Sequence, residues 1–588
     1  MVYSHKTNLI WKSFFSLLII FTIIITGIAN FDLIEGRFVL FMDEGILFDG
    51  IKRMFNHDGI KQLFFLIIDG GDNRYGKLFW NINALIALIP QILFGEQGLI
   101  FTLRMSSVFF LTSSFIIFSI TFTKNWFFRI ITLVSLLNLP FTSYYMSMPK
   151  PEPLQLFFLS LFLYFYKYYN CNNSKVFWVL LGIAYGIKIS ILPLLLIVIF
   201  LDIFYKSKKN SVIELQSKML AIFFYIGFGL VIAVPMLFVH FIISLFIYWI
   251  LTKIVYKQFL YINYFLTFLI IILNPIISYF IYIYFHYKTG FYKWINATFL
   301  NIGHNADDSS ISFWNWIYYF FHEWLSSSVI INICLITLSA LLFFIALYIY
   351  SDKLKNSMFD IYCSLLLILG SNITLCLIFL GTNRLYGVYI FPFFLLILIG
   401  LISLSEKFIL DLNLEITNKF IPKLSSITFL CLLIVIVCFY WYPNNMDYYS
   451  KLANRTSTKE YKINMNSYFE TIHFLEDYST SLNKKINVIY DPVLFFPNSN
   501  NNFNIDLFWG IFDGWEQGYD IIIFSKHQKN NIMNNLGPNL INYKKRLSAK
   551  ENYEKFIVND NKVCEYNICY KIINVLENGS EILIKLKS

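Results

Sequence analysis

The sequence predicts a polytopic α-helical membrane protein with a separate, polar α/β domain at its C-terminal end. Three observations lead there. Hydrophobic residues make up 57% of the 588 and aromatics 20%. Even a soluble domain of about 300 residues buries only about 75% of its surface, so water offers no place for this much apolar side chain. Charged residues reach only 14%, against about 25% in ordinary soluble domains. Finally, apolar runs of about 15–25 residues recur from Trp11 to Tyr442. These are lengths suited to helical spans and unlike the alternating ten-residue segments of a barrel. The same composition excludes intrinsic disorder, and 25 Gly with 14 Pro exclude collagen-like chains.

The candidate spans are Trp11–Ala29, Leu103–Phe122, Phe127–Pro140, Leu154–Phe165, Val176–Ile187, Ile191–Phe204, Met219–Val239, Phe241–Leu251, Phe259–Phe285, Val329–Tyr350, Phe359–Leu380, Val388–Leu404 and Ile427–Tyr442. That predicts about 13 transmembrane helices, the shorter ones finished by polar flanks in the headgroup layer. No small-residue cleavage site follows Ala29, so the first run reads as an uncleaved helix. With the N-terminus inside, Lys12, Lys124, Arg129, Lys167, Lys353, Lys407, Lys419 and Lys423 fall in short inner loops, as the positive-inside rule asks. This also accounts for the net charge of +10 without a nucleic-acid surface. The outer side then receives loops 30–98 and 286–328 and the tail. Residues 1–442 form the membrane domain and 443–588 the extracytoplasmic one. Together these place the chain in a cell membrane, as a multi-pass protein with a cytoplasmic N-terminus, a bacterial inner membrane being the expected site.

The tail turns polar. Ile486–Tyr490 and Tyr519–Phe524 read as buried strands, and Tyr461–Tyr478 and Lys526–Leu536 as helices. Ile568–Val575 and Glu581–Leu586, joined through Asn578-Gly579, read as a hairpin. Cys171, Cys334, Cys363, Cys376, Cys431 and Cys438 lie in or beside apolar runs and act as small hydrophobes. Cys564 and Cys569 lie in the polar tail, and in an oxidising compartment such a pair forms a disulfide.

Chemistry-bearing residues gather at the predicted outer ends of spans. Asp43 and Glu44 are adjacent carboxylates shortly after the first span, suited to general-base or charge-stabilising work. The segment Ile82–Phe94, interrupted by Pro90, follows Tyr75-Gly76-Lys77-Leu78 and reads as a helix lying along the interface. Gly95-Glu96 comes next, then Arg104 opening the second span. Lys150 and Glu152 alternate with prolines in Pro149-Lys150-Pro151-Glu152-Pro153, and Lys188 ends the Gly-rich fifth span. Arg74 and Arg384 lie in outer loops. Lys77 reads most simply as a snorkelling interfacial cation. His304, Asp307 and Asp308 carry the donor atoms of a divalent-metal site, a solvated loop being the simpler account. Nucleotide-binding loops are absent.

This order of features resembles the GT-C superfamily of membrane glycosyltransferases, and in particular the bacterial branch with the protein O-mannosyltransferase-like and aminoarabinose-transferase-like enzymes. That pattern runs from an Asp-Glu pair through an aromatic interfacial segment ending in Phe-Gly-Glu and an Arg at the second span. It continues to an acidic residue before the fourth span and a Gly-rich fifth span ending in Lys. Two departures stand out: Tyr75-Gly76-Lys77-Leu78 replaces the usual His-Pro-Pro, and Glu152 stands where Asp is common. The resemblance covers roughly residues 1–204 by motif. It implies that Asp43 is the catalytic base, with Glu44 and Glu152 beside it. It further implies a sugar donor linked to polyprenyl phosphate, whose phosphate is met by Arg74, Lys150, Lys188 and Arg384. The acceptor would be a glycan, lipid or protein hydroxyl, the membrane lipid an obligate surround, and a divalent metal an open cofactor. Two rival classes are a transporter or flippase of envelope glycan precursors, and a surface-polysaccharide polymerase or ligase.

Overall fold

The computed structural model describes residues 5–31, 33–34, 37–38, 42–55, 59–69, 76–169, 176–188, 191, 194, 198–199, 212–238, 241–242, 245–246, 329–352, 359–381, 387–410, 420–453, 459–490, 502–507, 519–524, 562–565 and 568–586. The chain divides into two compact units. One comprises Met1–Asn30, Met54–Phe299 and Ser312–Ser450, and the other Phe31–Arg53, Leu300–Ile311 and Lys451–Ser588.

The first unit is a helical bundle. In chain order its helices are α1 (His5–Asn30), then α2 (Met42–Phe55, which begins in the second unit) and α3 (Ile60–Asp69). They are followed by α4 (Lys77–Phe122), α5 (Trp126–Asn138), the single turn α6 (Thr142–Tyr145), α7 (Pro151–Tyr169), α8 (Trp178–Ile187) and α9 (Val212–Ala233). The later ones are α10 (Val329–Asp352), α11 (Phe359–Gly381), α12 (Gly387–Leu410) and α13 (Phe420–Ile436). Among the described residues, four helical stretches are long and apolar enough to cross a membrane: Ile10–Asn30, Lys77–Phe122, Phe391–Leu410 and Phe420–Ser450. The expected runs at α5, α7, α8, α9, α10 and α11 are helical as well, while Phe259–Phe285 lies outside the described residues.

Two features of α1 and α4 follow from their sequences. Along α1, Leu17, Ile20, Phe21, Ile24 and Ile28 are exposed, a surface that only an apolar solvent tolerates. In α4, Pro90 stays inside the helix and the break comes instead at Gly95, with φ 62 and ψ −145. A side chain at that φ is strained, so glycine sets the corner. Before it, Leu85, Ile89, Ile92, Leu93 and Phe94 are exposed, while Phe79, Trp80, Ala84 and Ala87 are buried. Thus the helix expected over 82–94 is present but begins at Lys77, and Gly95 rather than Pro90 interrupts it.

Small residues bring α8 and α9 together. A Cβ on Gly182 would collide with the carbonyl of Ile226, and one on Gly229 with that of Val179. The helices therefore meet backbone to backbone, as membrane helices do where small residues recur. The bundle core runs through Leu111, Phe115, Leu159, Phe162, Trp178, Leu396 and Leu433. Past α13 the chain continues as a π-helical turn, Val437–Trp441, and then α14, Tyr442–Ala453. The backbone thus stays helical through the expected boundary at 442.

In the second unit, α15 (Lys459–Leu482) packs on a six-stranded sheet of order β4-β3-β5-β8-β7-β6. Its strands are β3 (Ile486–Tyr490), β4 (Phe503–Leu507), β5 (Ile521–Phe524), β6 (Lys562–Glu565), β7 (Ile568–Val575) and β8 (Glu581–Leu586). Strands β4 and β5 run parallel to β3, and β8, β7 and β6 continue antiparallel. Ile472 and Leu475 of the helix close the core over Ile486, Val488, Ile505, Ile521 and Ile582. The β7–β8 turn closes as expected: Gly579 has φ 79, and Leu576 N–H bonds Ser580 O at 2.8 Å. A two-residue pair of strands, β1 (Leu33–Ile34) and β2 (Arg37–Phe38), precedes α2. The expected helix Lys526–Leu536 lies outside the described residues.

Candidate functional site

Three helix ends converge in the first unit. Pro151 opens α7, its fixed φ and missing N–H suiting a first helical position. Glu152 follows in the first turn. Lys188 closes α8 in an extended conformation, φ −152 and ψ 131. The Lys188 ammonium pairs with Glu152 Oε1. The Glu152 side chain is 3% exposed and that of Lys188 14%, so the pair is desolvated. One turn on, Gln155 Nε2 donates to Ala184 O at 2.9 Å and to Lys188 O at 2.6 Å. These carbonyls are among those a helix end leaves without partners.

The third end belongs to α4. Gly76 N–H donates to Ile187 O at 3.0 Å, and a Cβ on Gly76 would strike the backbone of Gly186. Only glycine lets the start of α4 lie this close to the end of α8. The next residue, Lys77, is fully buried. Here the structure corrects the sequence expectation, since a snorkelling lysine would hold its ammonium out at the interface. Gly76 is the signal that sequence carries, a residue that admits close backbone approach immediately before a cation.

The surroundings are polar and in large part satisfied. Asn83 Nδ2 donates to Phe79 O at 2.8 Å, and Ser106 donates to Asn83 Oδ1 at 2.7 Å. Arg104 is buried and its Nη1 donates to Asn30 O at 3.0 Å, while Asn30 Nδ2 donates to Met146 O at 2.8 Å. Among the described residues, Glu152 Oε2 is buried and without a hydrogen-bond partner, as are Trp80 Nε1 and Asn81 Oδ1 in the first turn of α4. An orphaned buried oxygen of this kind costs about 1–3 kcal/mol, and it leaves one acceptor open to a ligand. Two helix N-termini, at Lys77 and Pro151, thus meet the C-terminal end of α8 beside two lysines and one carboxylate.

No family model matches the chain, and no curated protein matches it. Solved structures that the chain resembles include two crystal structures of one protein. ArnT from Cupriavidus metallidurans in the apo state has a TM-score of 0.41 at 10% identity, covering 97% of this chain and 98% of that one. The same protein bound to undecaprenyl phosphate gives 0.39 at 10% identity, covering 97% of each.

The other expected site residues are placed as follows. Asp43 and Glu44 lie in the first turn of α2, and Glu44 is buried. They stand on a regular helix. Lys150 is half-buried immediately before α7. Arg74, Arg384, His304, Asp307 and Asp308 lie outside the described residues. Among the described residues, no group of three or more His, Cys, Asp or Glu is placed to hold a metal ion. In the sheet, Cys569 is disulfide-bonded and Cys564 stands opposite it in register.

Proposed function

We propose that the chain is an integral-membrane glycosyltransferase that moves a sugar from a polyprenyl-phosphate-linked donor to an acceptor hydroxyl on the extracytoplasmic face. In the step, the bond between the anomeric carbon and the donor phosphate oxygen breaks, and a bond to the acceptor oxygen forms. The acceptor proton passes to a base, and the lipid phosphate leaves with the electron pair. Asp43 is the proposed base and Glu44 its neighbour. Negative charge grows on the leaving phosphate, and preorganised cations stabilise it most where water is excluded. The observation that supports this reading is the buried corner where Glu152 and Lys188 pair beside Lys77, at the N-termini of α4 and α7. Lys77, Lys150 and Lys188 are the proposed phosphate cations there, with Arg74 and Arg384 proposed from the sequence alone. Glu152 holds Lys188 and offers its open oxygen to the sugar.

A transporter or flippase would place its charges in broken helices near the bilayer midplane. Here Glu152 and Lys188 sit at helix ends, which favours the enzyme. The test is transfer of radiolabelled sugar from polyprenyl-phosphate donors in membranes expressing the protein. Label should pass to an extractable acceptor only when the protein is present. Donor translocation without transfer would favour the flippase.

A further inference from the structure

At the opposite ends of α4, α7 and α12 from Lys77, Glu152 and Gly387, a second polar cluster forms around Trp126. Its one acid among the described residues packed there, Glu406, is 4% exposed. Its carboxylate accepts Lys124 N–H at 3.0 Å and Asn125 N–H at 2.6 Å. It therefore faces the amides that open α5 and satisfies donors the helix leaves orphaned.

The cations are disposed differently. The Lys12 ammonium lies 5.6 Å from the centre of the Trp126 ring, and the Arg129 guanidinium 4.5 Å from the same centre. Arg129 is held there through Nε, which donates to Thr123 O at 3.2 Å. Lys12 and Lys124 are exposed. Next to them, Trp11 packs edge-on against Phe127 at 5.9 Å and Phe15 edge-on against Trp126 at 5.7 Å. Ile10, Phe14, Leu17 and Phe127 are 66%, 49%, 62% and 41% exposed.

The exposed Lys12 ammonium and the Arg129 guanidinium, which also lies near Glu406, thus adjoin apolar side chains that require hydrocarbon. One ligand chemistry suits both, a phosphate esterified to acyl chains. We propose that this cluster binds the headgroup of an anionic phospholipid. Lys12 and Arg129 grip the phosphate over Trp126, Lys124 stands at the rim, and the acyl chains lie along Phe14 and Leu17. A guanidinium fork fixed by one hydrogen bond suits phosphate geometry, and juxtamembrane Lys and Arg draw anionic lipid.

The experiment uses the full chain in detergent, delipidated and titrated with phosphatidylglycerol or phosphatidylcholine, with bound lipid counted by native mass spectrometry. Phosphatidylglycerol should be retained selectively. Lys12→Gln should weaken it about fivefold, the effect of one interfacial cation, and Arg129→Gln should weaken it further. Arg129→Lys should retain part of the binding. Lys12 is exposed, so its variant keeps the test valid if the Arg129 variants fail to fold. Millimolar inorganic phosphate should not displace the lipid. Equal retention of the two lipids, or unchanged retention in Lys12→Gln, overturns the proposal. Displacement by inorganic phosphate overturns it too, marking a site for free anions.

Discussion

The Lys188 ammonium and the Glu152 carboxylate form a desolvated ion pair that joins the residue capping the end of one helix to the first turn of another. Such a pair contributes little net stability, because the cost of desolvation offsets the attraction. Breaking it is another matter, since a buried charge is then left alone. Glu152→Ala or Lys188→Ala should each lower stability by about 3–5 kcal/mol, read as thermal unfolding in detergent. The double variant Glu152→Leu/Lys188→Met should recover much of this loss and yet remain inactive in sugar transfer. Recovery of both stability and activity would confine the pair to a structural role.

Asp43→Asn should keep expression and folding normal and lower transfer by about 10² to 10⁴, the usual worth of a general base. Glu44→Gln should cost less. Full activity in the Asp43 variant sinks the base assignment.

The tail is expected on the outer face. Lys407, Lys419 and Lys423 precede the last apolar stretch, and short basic loops stay inside. Protease added to intact spheroplasts should clip the tail. Digestion only after lysis reverses the orientation.

Cys564 and Cys569 are proposed partners. Their register pairing between β6 and β7 puts them in the neighbourhood a disulfide needs, Cα atoms within about 7 Å. The loop is short, so Cys564→Ser should cost the tail domain only about 2 kcal/mol. It should also free exactly one thiol for labelling without reductant. A labelling count that leaves Cys569 blocked in that variant would assign it a different partner.

Gly229→Val should disrupt the α8–α9 contact, because the new side chain meets the Val179 carbonyl. Overpacking of this kind costs about 1–3 kcal/mol, and backbone contact leaves little room to relax. A melting temperature equal to that of the parent protein would show that the two helices can move apart freely.

The helices were readable because apolar runs of this length have one use, and α15, β3, β7 and β8 because period and turn chemistry agree there. Strand β4 is marked only by the alternation of Phe503, Ile505 and Leu507, a short signal set beside an Asn-rich loop. The corner at Gly95 competes with Pro90 as a break. Both are helix breakers by type, and only the backbone conformation distinguishes them. Glu152 and Lys188 could each be picked out by their place at a span's end, but their pairing spans 36 positions and belongs to packing. Lys77 shows the limit most clearly. A lysine beside an aromatic run has the same local sequence whether its ammonium meets water or is enclosed by neighbouring helices.

The turn at Gly95 has a geometric consequence. Uninterrupted, the 46 residues of α4 would make a rod about 69 Å long, more than twice the roughly 30 Å of hydrocarbon in a bilayer. Divided at the glycine, the arm ending at Phe122 measures about 40 Å, enough to cross with tilt, and the arm starting at Lys77 about 27 Å. The second arm is thus freed from any need to traverse. It becomes a beam whose far end carries Lys77, so the position of a buried cation is set by the angle of a single residue some 18 positions away.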